Sequence, residues 1–556
     1  MPNPPETPRK TPSPQPAPEP SPQPSPEPSP RTSPEPYDVL VVGAGPTGMV
    51  AACELLRRGV RVRIVDRAPE PSPFPKALLV WPRSIDLFED LGVLGELREA
   101  GIQINAFSYF SERRRLASFA FPQDLSPVCL PQNETERILR DRLAALGGKV
   151  ERGVRLLTLE GVDFSGRIDG AADVTAVLEH ADGRVERTRA PFVIGTDGAG
   201  SAVRAQLGGG FTGSTYESAF ALVDARIKGF LPPDQALYYQ SAAGALVVVA
   251  LPDGVFRFFS SLPPGEKVTV ERMQAIVDER GPSGVRLSDP VWVSDFRIHA
   301  RHASEFQLGR VFIAGDAAHV HSPAGGQGLN TGIQDAHNLA WKLAAVLHGE
   351  APSDLLRSYG PERAAVARRV VRDTDIQTRG WMVRKPAAIT ARDAAFRVAD
   401  RSGLFRLYAP VMAGRRLSYP AVRETQLPAG RTSCRLRAKL PGGLTVGGVF
   451  PREVALPHGV AGPGGRPAGW TLFVTCAGDG AAWRAETRAI TAAWPSIRTV
   501  DLASGSVRRT TGCRHQGYYL VRPDGHIAAH GHGGDLDRLH TELAHWLGPV
   551  SATTTS

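Results

Sequence analysis

Three stretches of this 556-residue chain carry residue types suited to phosphate and ribose chemistry. The first is Gly43-Ala44-Gly45-Pro46-Thr47-Gly48, a G-x-G-x-x-G turn that leads on to Asp66. In such a turn Gly43 permits the tight bend, Gly45 lets backbone N–H groups approach a pyrophosphate, and Gly48 lets a helix lie close to a strand. An acid roughly 20 residues later accepts from a ribose hydroxyl. The second stretch, Asp197-Gly198-Ala199-Gly200, lacks a third glycine and a following acid, so it is not a second dinucleotide turn. The third is Gly315-Asp316 with the loop Pro323-Ala324-Gly325-Gly326-Gln327-Gly328-Leu329-Asn330, which opens a helix. Nucleotide binding follows from the first stretch; the identity of the dinucleotide does not.

These turns need elements to aim them. Residues 39–42 form a short apolar, β-branched run, as a buried parallel strand requires. A helix follows with Ala51, Leu55 and Leu56 on one side, stopped by Gly59, and a second strand over 60–65 ends at Asp66. The helix N-terminus offers partial positive charge to phosphates. Further on, 311–314 reads as a buried strand ending at Gly315-Asp316. The helix after the glycine-rich loop sets Ile333, Ala336, Ala340, Leu343 and Leu347 on one face. Residues 211–299 alternate polar and apolar and read as a sheet-rich insert. Its aromatics Tyr238, Tyr239, Phe256, Phe258 and Phe259 are candidates for a pocket wall, although aromatics in strands serve a core more often. The chain divides into a disordered Pro-rich tail (1–36), a discontinuous nucleotide-binding domain (37–210 and 300–400), the inserted sheet domain (211–299), a linker (401–424) and a last unit (425–550).

Composition removes several classes. The net charge of +9 is spread over many arginines with no basic block interleaved with aromatics, so no nucleic-acid partner is expected. No run of roughly 18 apolar residues suggests a membrane span. The Pro-rich tail has no apolar core, so it is no secretory signal. The five cysteines are far apart, with no C-x-x-C and no metal spacing, which fits reduced thiols in the cytoplasm. His319 and His321 flank Val320, but no third ligand accompanies them and no metal is expected. His319 reads as a packed, hydrogen-bonded residue, and His321 as one that faces a substrate. No catalytic triad stands out, so the catalytic residues are unassigned.

Taken together, Gly43–Gly48 with Asp66, then Asp197-Gly198, then RVFIAGDAAHVHSPAGGQGLNTGIQDAHNLAWKLA resemble the FAD-dependent, single-component aromatic hydroxylases, flavoprotein monooxygenases related to para-hydroxybenzoate and phenol hydroxylases. The resemblance covers about residues 37–400. The region beyond about 425 is similar to the thioredoxin-like C-terminal domain of polyketide-modifying members. The implied fold is α/β: a Rossmann-like FAD-binding domain, an inserted β-sheet substrate domain and a C-terminal thioredoxin-like domain. The implied cofactor contacts are Gly43, Gly45, Thr47 and Gly48 at the pyrophosphate, and Asp66 with Arg67 at the adenosine. Lys76 is implied near the flavin or phosphates, Gln132 by the ribityl chain, Asp316 at the FAD hydroxyls, and Gly328, Leu329 and Asn330 at the flavin's pyrimidine end. Lys76 stands where many members have Arg, so a point charge replaces a bidentate fork. A helix starting at Gly328 presents free N–H groups and a positive dipole end, which suits anionic reduced flavin. Arg204 is either a contact for NADPH or a surface residue.

The resemblance implies that NAD(P)H, as co-substrate, reduces FAD and that O2 adds to give a C4a-hydroperoxide. One oxygen atom then passes to an electron-rich polycyclic phenol, a small-molecule substrate of the polyketide type. A Baeyer–Villiger or antibiotic-inactivating monooxygenase keeps the same motifs, and a non-catalytic FAD-binding assembly protein is the reading from another class. A flavin halogenase is disfavoured, since no W-x-W-x-I-P stretch is present. The last unit, lacking C-x-x-C, suits a structural or associating role, which is compatible with a homo-oligomer.

Overall fold

The strand Val39–Val42 is buried on both faces and lies inside a six-stranded sheet. The order is Gln307–Leu308, Val311–Ile313, Phe192–Gly195, Val39–Val42, Val62–Asp66, Val150–Arg152. Every pairing is parallel except that of the edge strand Gln307–Leu308. The carboxyl ends of the parallel strands therefore share one edge, and Gly43, Asp66, Thr196 and Gly315 all stand there, where open α/β sheets bind ligands. The computed structural model describes residues 36–549 apart from 171, 264, 421–443, 461–466, 477–479, 503–515 and 533–534. The expected Pro-rich tail lies outside the described residues except for Pro36, as does the 421–424 end of the expected linker. Residues from Tyr37 onward cluster as one compact unit.

Helices Pro46–Leu56, Gln132–Ala145 and Gly328–Leu347 flank this sheet. Two of them approach at glycine: a Cβ on Gly332 would lie 2.5 Å from Thr47 Oγ1. A three-stranded antiparallel sheet of Val154–Glu160, Val174–His180 and Val185–Ala190 stands beside them.

The inserted sheet has eight strands, in the order His319–Val320, Arg286–Ala303, Phe211–Lys228, Phe256–Leu262, Gly244–Ala250, Gln235–Ser241, Ala106–Ser111, Arg114–Ala120. Its membership corrects the expected boundary of 211–299, because Ala106–Ala120 and His319–Val320 belong to it. Ala106–Ser111 pairs in parallel with Gln235–Ser241, and Tyr109 stacks on Tyr238 with ring centroids 4.9 Å apart. The insert is not all sheet: Val270–Arg280 is a helix capped by the Thr269 side chain, with Met273, Ile276, Val277 and Arg280 buried at helical spacing.

Helices Tyr359–Trp381, Pro386–Arg401 and Leu404–Met412 follow. The last of these falls within the expected linker 401–424, and its Ala409 and Met412 are buried in a cluster with Trp81, Phe119 and Trp381, so these residues are packed structure. The last unit has a four-stranded sheet ordered Arg498–Leu502, Thr471–Thr475, Gly517–Val521, Ile527–His532. Its first pair is parallel, with Ala481–Thr491 between the two strands in the chain; the others are antiparallel, and Leu536–Leu547 ends the unit. Trp341 of the long helix meets Trp470 edge to face at 5.8 Å, so the unit shares apolar core with the first sheet's helices.

Candidate cofactor and substrate site

The glycine turn behaves as three different glycines. Gly43 has φ +103°, and a Cβ there would lie 2.4 Å from the Thr196 carbonyl oxygen. A Cβ on Gly48 would lie 2.0 Å from the Gly43 carbonyl oxygen, so this residue sets how closely the helix sits on the strand. A Cβ on Gly45 would meet nothing within 4 Å, because it would project into open space. That space is a cavity of about 1000 Å³, and Gly43, Gly45, Thr47, Asp66, Arg67, Lys76, Gln132, Asp316, Gly328 and Leu329 all line it. Gly45, which has no side chain to cap with, is the N-cap of Pro46–Leu56, and Gln327 is that of Gly328–Leu347 but its side chain does not cap the helix. Two uncapped helix N-termini therefore bound one cavity, each with free N–H groups.

The acids differ in their commitments. Asp66 accepts from the Ala44 amide at 2.6 Å and from the Ala68 amide at 2.8 Å, so it ties the glycine turn to the strand end while it lines the cavity. Asp316, on the turn after Val311–Ile313, accepts no hydrogen bond and forms no ion pair among the described residues. Its surroundings raise its pKa by burial, opposed by His319 and Lys76, even though its carboxylate faces the open cavity. Gln132 accepts from the Ala77 amide at 3.2 Å and donates to Glu136 at 2.9 Å.

Asn330 does not line the cavity. Its side chain accepts from the Trp81 amide and donates to the Leu79 and Gly326 carbonyls, each at 2.8 Å. It stitches strand Leu79–Val80 to the glycine-rich loop, and at 1% exposed it acts by holding that loop rather than by reaching the cavity. His319 is 1% exposed and bonds Asp335 Oδ2 at 2.7 Å, so it is packed and hydrogen-bonded and does not line the cavity. His321 lines the cavity; burial pushes it down to about 4, so the ring is neutral. Its Nδ1 lies 2.9 Å from the Ser322 carbonyl oxygen, which can only accept, so the ring proton sits on Nδ1. Arg204 donates to the Ala199 and Ala317 carbonyls at 2.7 and 2.9 Å and lies 3.9 Å over the Phe211 ring, so it braces two turns together.

Beyond Leu329 the cavity runs against the eight-stranded sheet, where Leu222, Tyr238, Val249, Phe259, Trp292 and Phe296 form its wall, and Trp381 joins them with its ring 5.4 Å from that of Tyr238. Strand alternation sorts the five expected aromatics: Tyr238 and Phe259 face the cavity, whereas Tyr239, Phe256 and Phe258 fill the core on the other face. Trp292, Phe296 and Trp381 were not foreseen as site residues, although the alternation at 291–298 carried the signal for two of them. Asp224 and Arg257 were also missed. Arg257 meets Asp224 through Nε and one terminal nitrogen, both at 2.8 Å, and its guanidinium donates to the Pro75 and Lys76 carbonyls. This buried pair fastens the loop bearing Lys76 to the sheet. Among the described residues no group of His, Cys, Asp and Glu is arranged to hold a metal ion, and no helix is long and apolar enough to cross a membrane.

The cavity thus joins a phosphate- and ribose-suited half to an aromatic half. Comparison with known proteins matches residues 36–374 to the FAD binding domain family and residues 466–550 to the aromatic-ring hydroxylase C-terminal family. The 6-methylpretetramide 4-monooxygenase of Streptomyces rimosus is 35% identical, over 91% of this chain and 92% of that protein. Among solved structures, the OxyS anhydrotetracycline hydroxylase of Streptomyces rimosus is 28% identical with a TM-score of 0.70, covering 93% of this chain and 100% of that one. The ternary complex of aklavinone-11 hydroxylase with FAD and aklavinone is 27% identical with a TM-score of 0.70, covering 92% and 99%.

Proposed function

The chain belongs to the family of FAD-binding aromatic-ring hydroxylases, and from that premise we propose that it hydroxylates a planar, polycyclic phenol of the polyketide type, with NAD(P)H as reductant and O2 as oxygen source. It is a FAD-dependent monooxygenase. The observation that carries the substrate class is the aromatic half of the cavity, whose flat walls of Phe259, Trp292, Phe296 and Trp381 suit a fused ring system.

The residues present fit FAD. The open face of Gly45 and the uncapped helix Pro46–Leu56 suit the pyrophosphate. Asp66 and Arg67 stand for the adenosine, Gln132 for the ribityl chain, and the free carboxylate of Asp316 for the cofactor's hydroxyls. The amides at Gly328 and Leu329 suit the flavin's pyrimidine end, with Asn330 holding their loop in place. When bound, FAD supplies the oxygen-activating chemistry. The protein's own task is to hold the ring in place and keep water out, which the apolar wall does. Tyr238 brings a hydroxyl to that wall, and burial raises its pKa well above the ordinary value, so it stays protonated and can donate to a substrate oxygen. Tyr238→Phe is expected to lower kcat/KM about tenfold, the worth of one hydrogen bond, with little change in FAD content; an unchanged value would remove Tyr238 from substrate recognition.

We assign the last unit to the thioredoxin-like class, supported by its strand order and helices, with a structural role. Free, buried Cys53 and Cys129 fit a reducing cytoplasm. The deciding experiment is NADPH and NADH oxidation by the purified yellow protein against a panel of polycyclic phenols, with mass spectrometry for a gain of one oxygen atom. If no aromatic accelerates coenzyme consumption, the hydroxylase reading fails.

A further inference from the structure

Three cations and three carboxylates lie buried where the last unit meets the helices Gly328–Leu347 and Tyr359–Trp381. They are Lys342, Arg363 and Arg522 with Asp335, Glu362 and Asp524, each at most 4% exposed. Arg522 and Asp524 sit in the turn between strands Gly517–Val521 and Ile527–His532. Arg522 forks onto Glu362 at 2.6 and 3.0 Å and also bonds Asp524. Asp524 accepts from Asn338 at 3.2 Å, and Glu362 accepts from Asn338 and Lys342, both at 2.8 Å. The next residue, Arg363, is oriented the other way: it donates to Asp335 at 2.6 Å, to the Thr331 carbonyl at 3.1 Å and to the Tyr419 hydroxyl at 3.2 Å. The Tyr419 ring is stacked on His526 at 4.1 Å, with the Arg522 guanidinium 5.2 Å from its centroid.

The chain of bonds ends at the cavity. The second oxygen of Asp335 accepts from the Gly315 amide at 3.0 Å and bonds His319 at 2.7 Å. Gly315 is the residue before Asp316, the unpartnered cavity carboxylate. Buried ion pairs contribute little net stability, because desolvation offsets their attraction, but they hold their members to one geometry. A network of this kind at a junction is therefore better suited to fixing register than to strengthening the fold.

We propose that Arg522 and Asp524 are positioning residues for the cofactor: through Glu362, Arg363 and Tyr419 they fix Asp335, which carries the Gly315 amide and so sets where Asp316 meets FAD. The inference rests on the FAD assignment and gives the last unit a part in cofactor binding.

The test measures the FAD dissociation constant of apoprotein by flavin fluorescence, beside the thermal midpoint of the same apoprotein. The variants are Tyr419→Phe, Arg522→Lys and Arg522→Met. Thr487→Val serves as a control, because Thr487 is buried in the same unit and, among the described residues, its side chain bonds only its own helix. Arg522→Met is expected to weaken FAD binding about tenfold and Tyr419→Phe about fivefold, with Arg522→Lys recovering part of the loss; Thr487→Val should stay within about twofold. A lowered midpoint with unchanged FAD affinity in Tyr419→Phe and Arg522→Lys overturns the inference. Should Arg522→Met fail to fold, Tyr419→Phe decides, since it deletes one hydroxyl and keeps the stacked ring. Wild-type protein that takes up no FAD would overturn the cofactor assignment and this inference together. Wild-type protein that binds FAD no better than the variants overturns this inference alone.

Discussion

Two glycines three residues apart make opposite predictions. Gly45→Ala places a methyl group in open cavity, so the apoprotein should unfold at the wild-type temperature while FAD binds more weakly. Gly48→Ala drives its methyl group onto the Gly43 carbonyl oxygen at 2.0 Å, so the apoprotein itself should lose about 3 kcal/mol. Calorimetry of both apoproteins with FAD titration separates them, and equal destabilisation would mean that Gly45 does not face a ligand. Asp316 is the other informative residue. A lone carboxylate facing a cavity has no structural task, so Asp316→Ala should fold normally yet purify with little flavin, a loss of about 2 kcal/mol of binding from hydrogen bonds to a charged group. Full flavin content, read from the visible absorbance, would refute that role.

At the scale of elements, the start of helix Gly328–Leu347 is held by Asn330. Removing that side chain strands the Trp81 amide and two carbonyls, so Asn330→Ala should lower apoprotein stability by about 3 kcal/mol, read from chemical unfolding. Stability within about 0.5 kcal/mol of wild type would contradict the bonding pattern. The position of Asn330 was legible in the sequence, but the direction of its side chain was not, because two of its three partners, Leu79 and Trp81, lie about 250 residues earlier. The strand–turn–helix units were legible for a local reason: their glycines, apolar runs and acids are close in the chain. The eight-stranded sheet was only half legible. Ala106–Ser111 gives no local sign that it will pair with Gln235–Ser241, and without that pairing Tyr238 and Tyr239 cannot be told apart. The Asp224–Arg257 pair was hidden likewise, since only the register of two antiparallel strands sets the residues opposite each other. Helix Val270–Arg280 had its cap and spacing in plain view, but it is short and lies inside an alternating region.

Across the whole molecule, buried carboxylates make the fold acid-sensitive. Burial opposes ionisation of Glu362, but Arg522 and Lys342 outweigh it and hold its carboxyl down at about 2, against an ordinary value of 4.5. Asp335 and Asp524 are shifted in the same direction. A depressed carboxylate stabilises the fold fully above its unfolded pKa, and that contribution is lost as pH falls toward the folded one. Apoprotein stability should therefore fall from about pH 4.5 downward, by about 3 kcal/mol for Glu362 alone. Unfolding curves by circular dichroism, unchanged down to about pH 2.5, would contradict this. The interleaving of Ala106–Ala120 with the later strands has a practical consequence for engineering. Exchanging residues 211–299 with those of a relative, in search of new substrate preference, would leave Gln235–Ser241 beside a mismatched neighbour and separate Tyr109 from its stacking partner. A chimera intended to keep the graft's own geometry must carry 106–120 across as well, so crossover points belong in the turns before Ala106 and after Ala120 rather than at the ends of the insert alone.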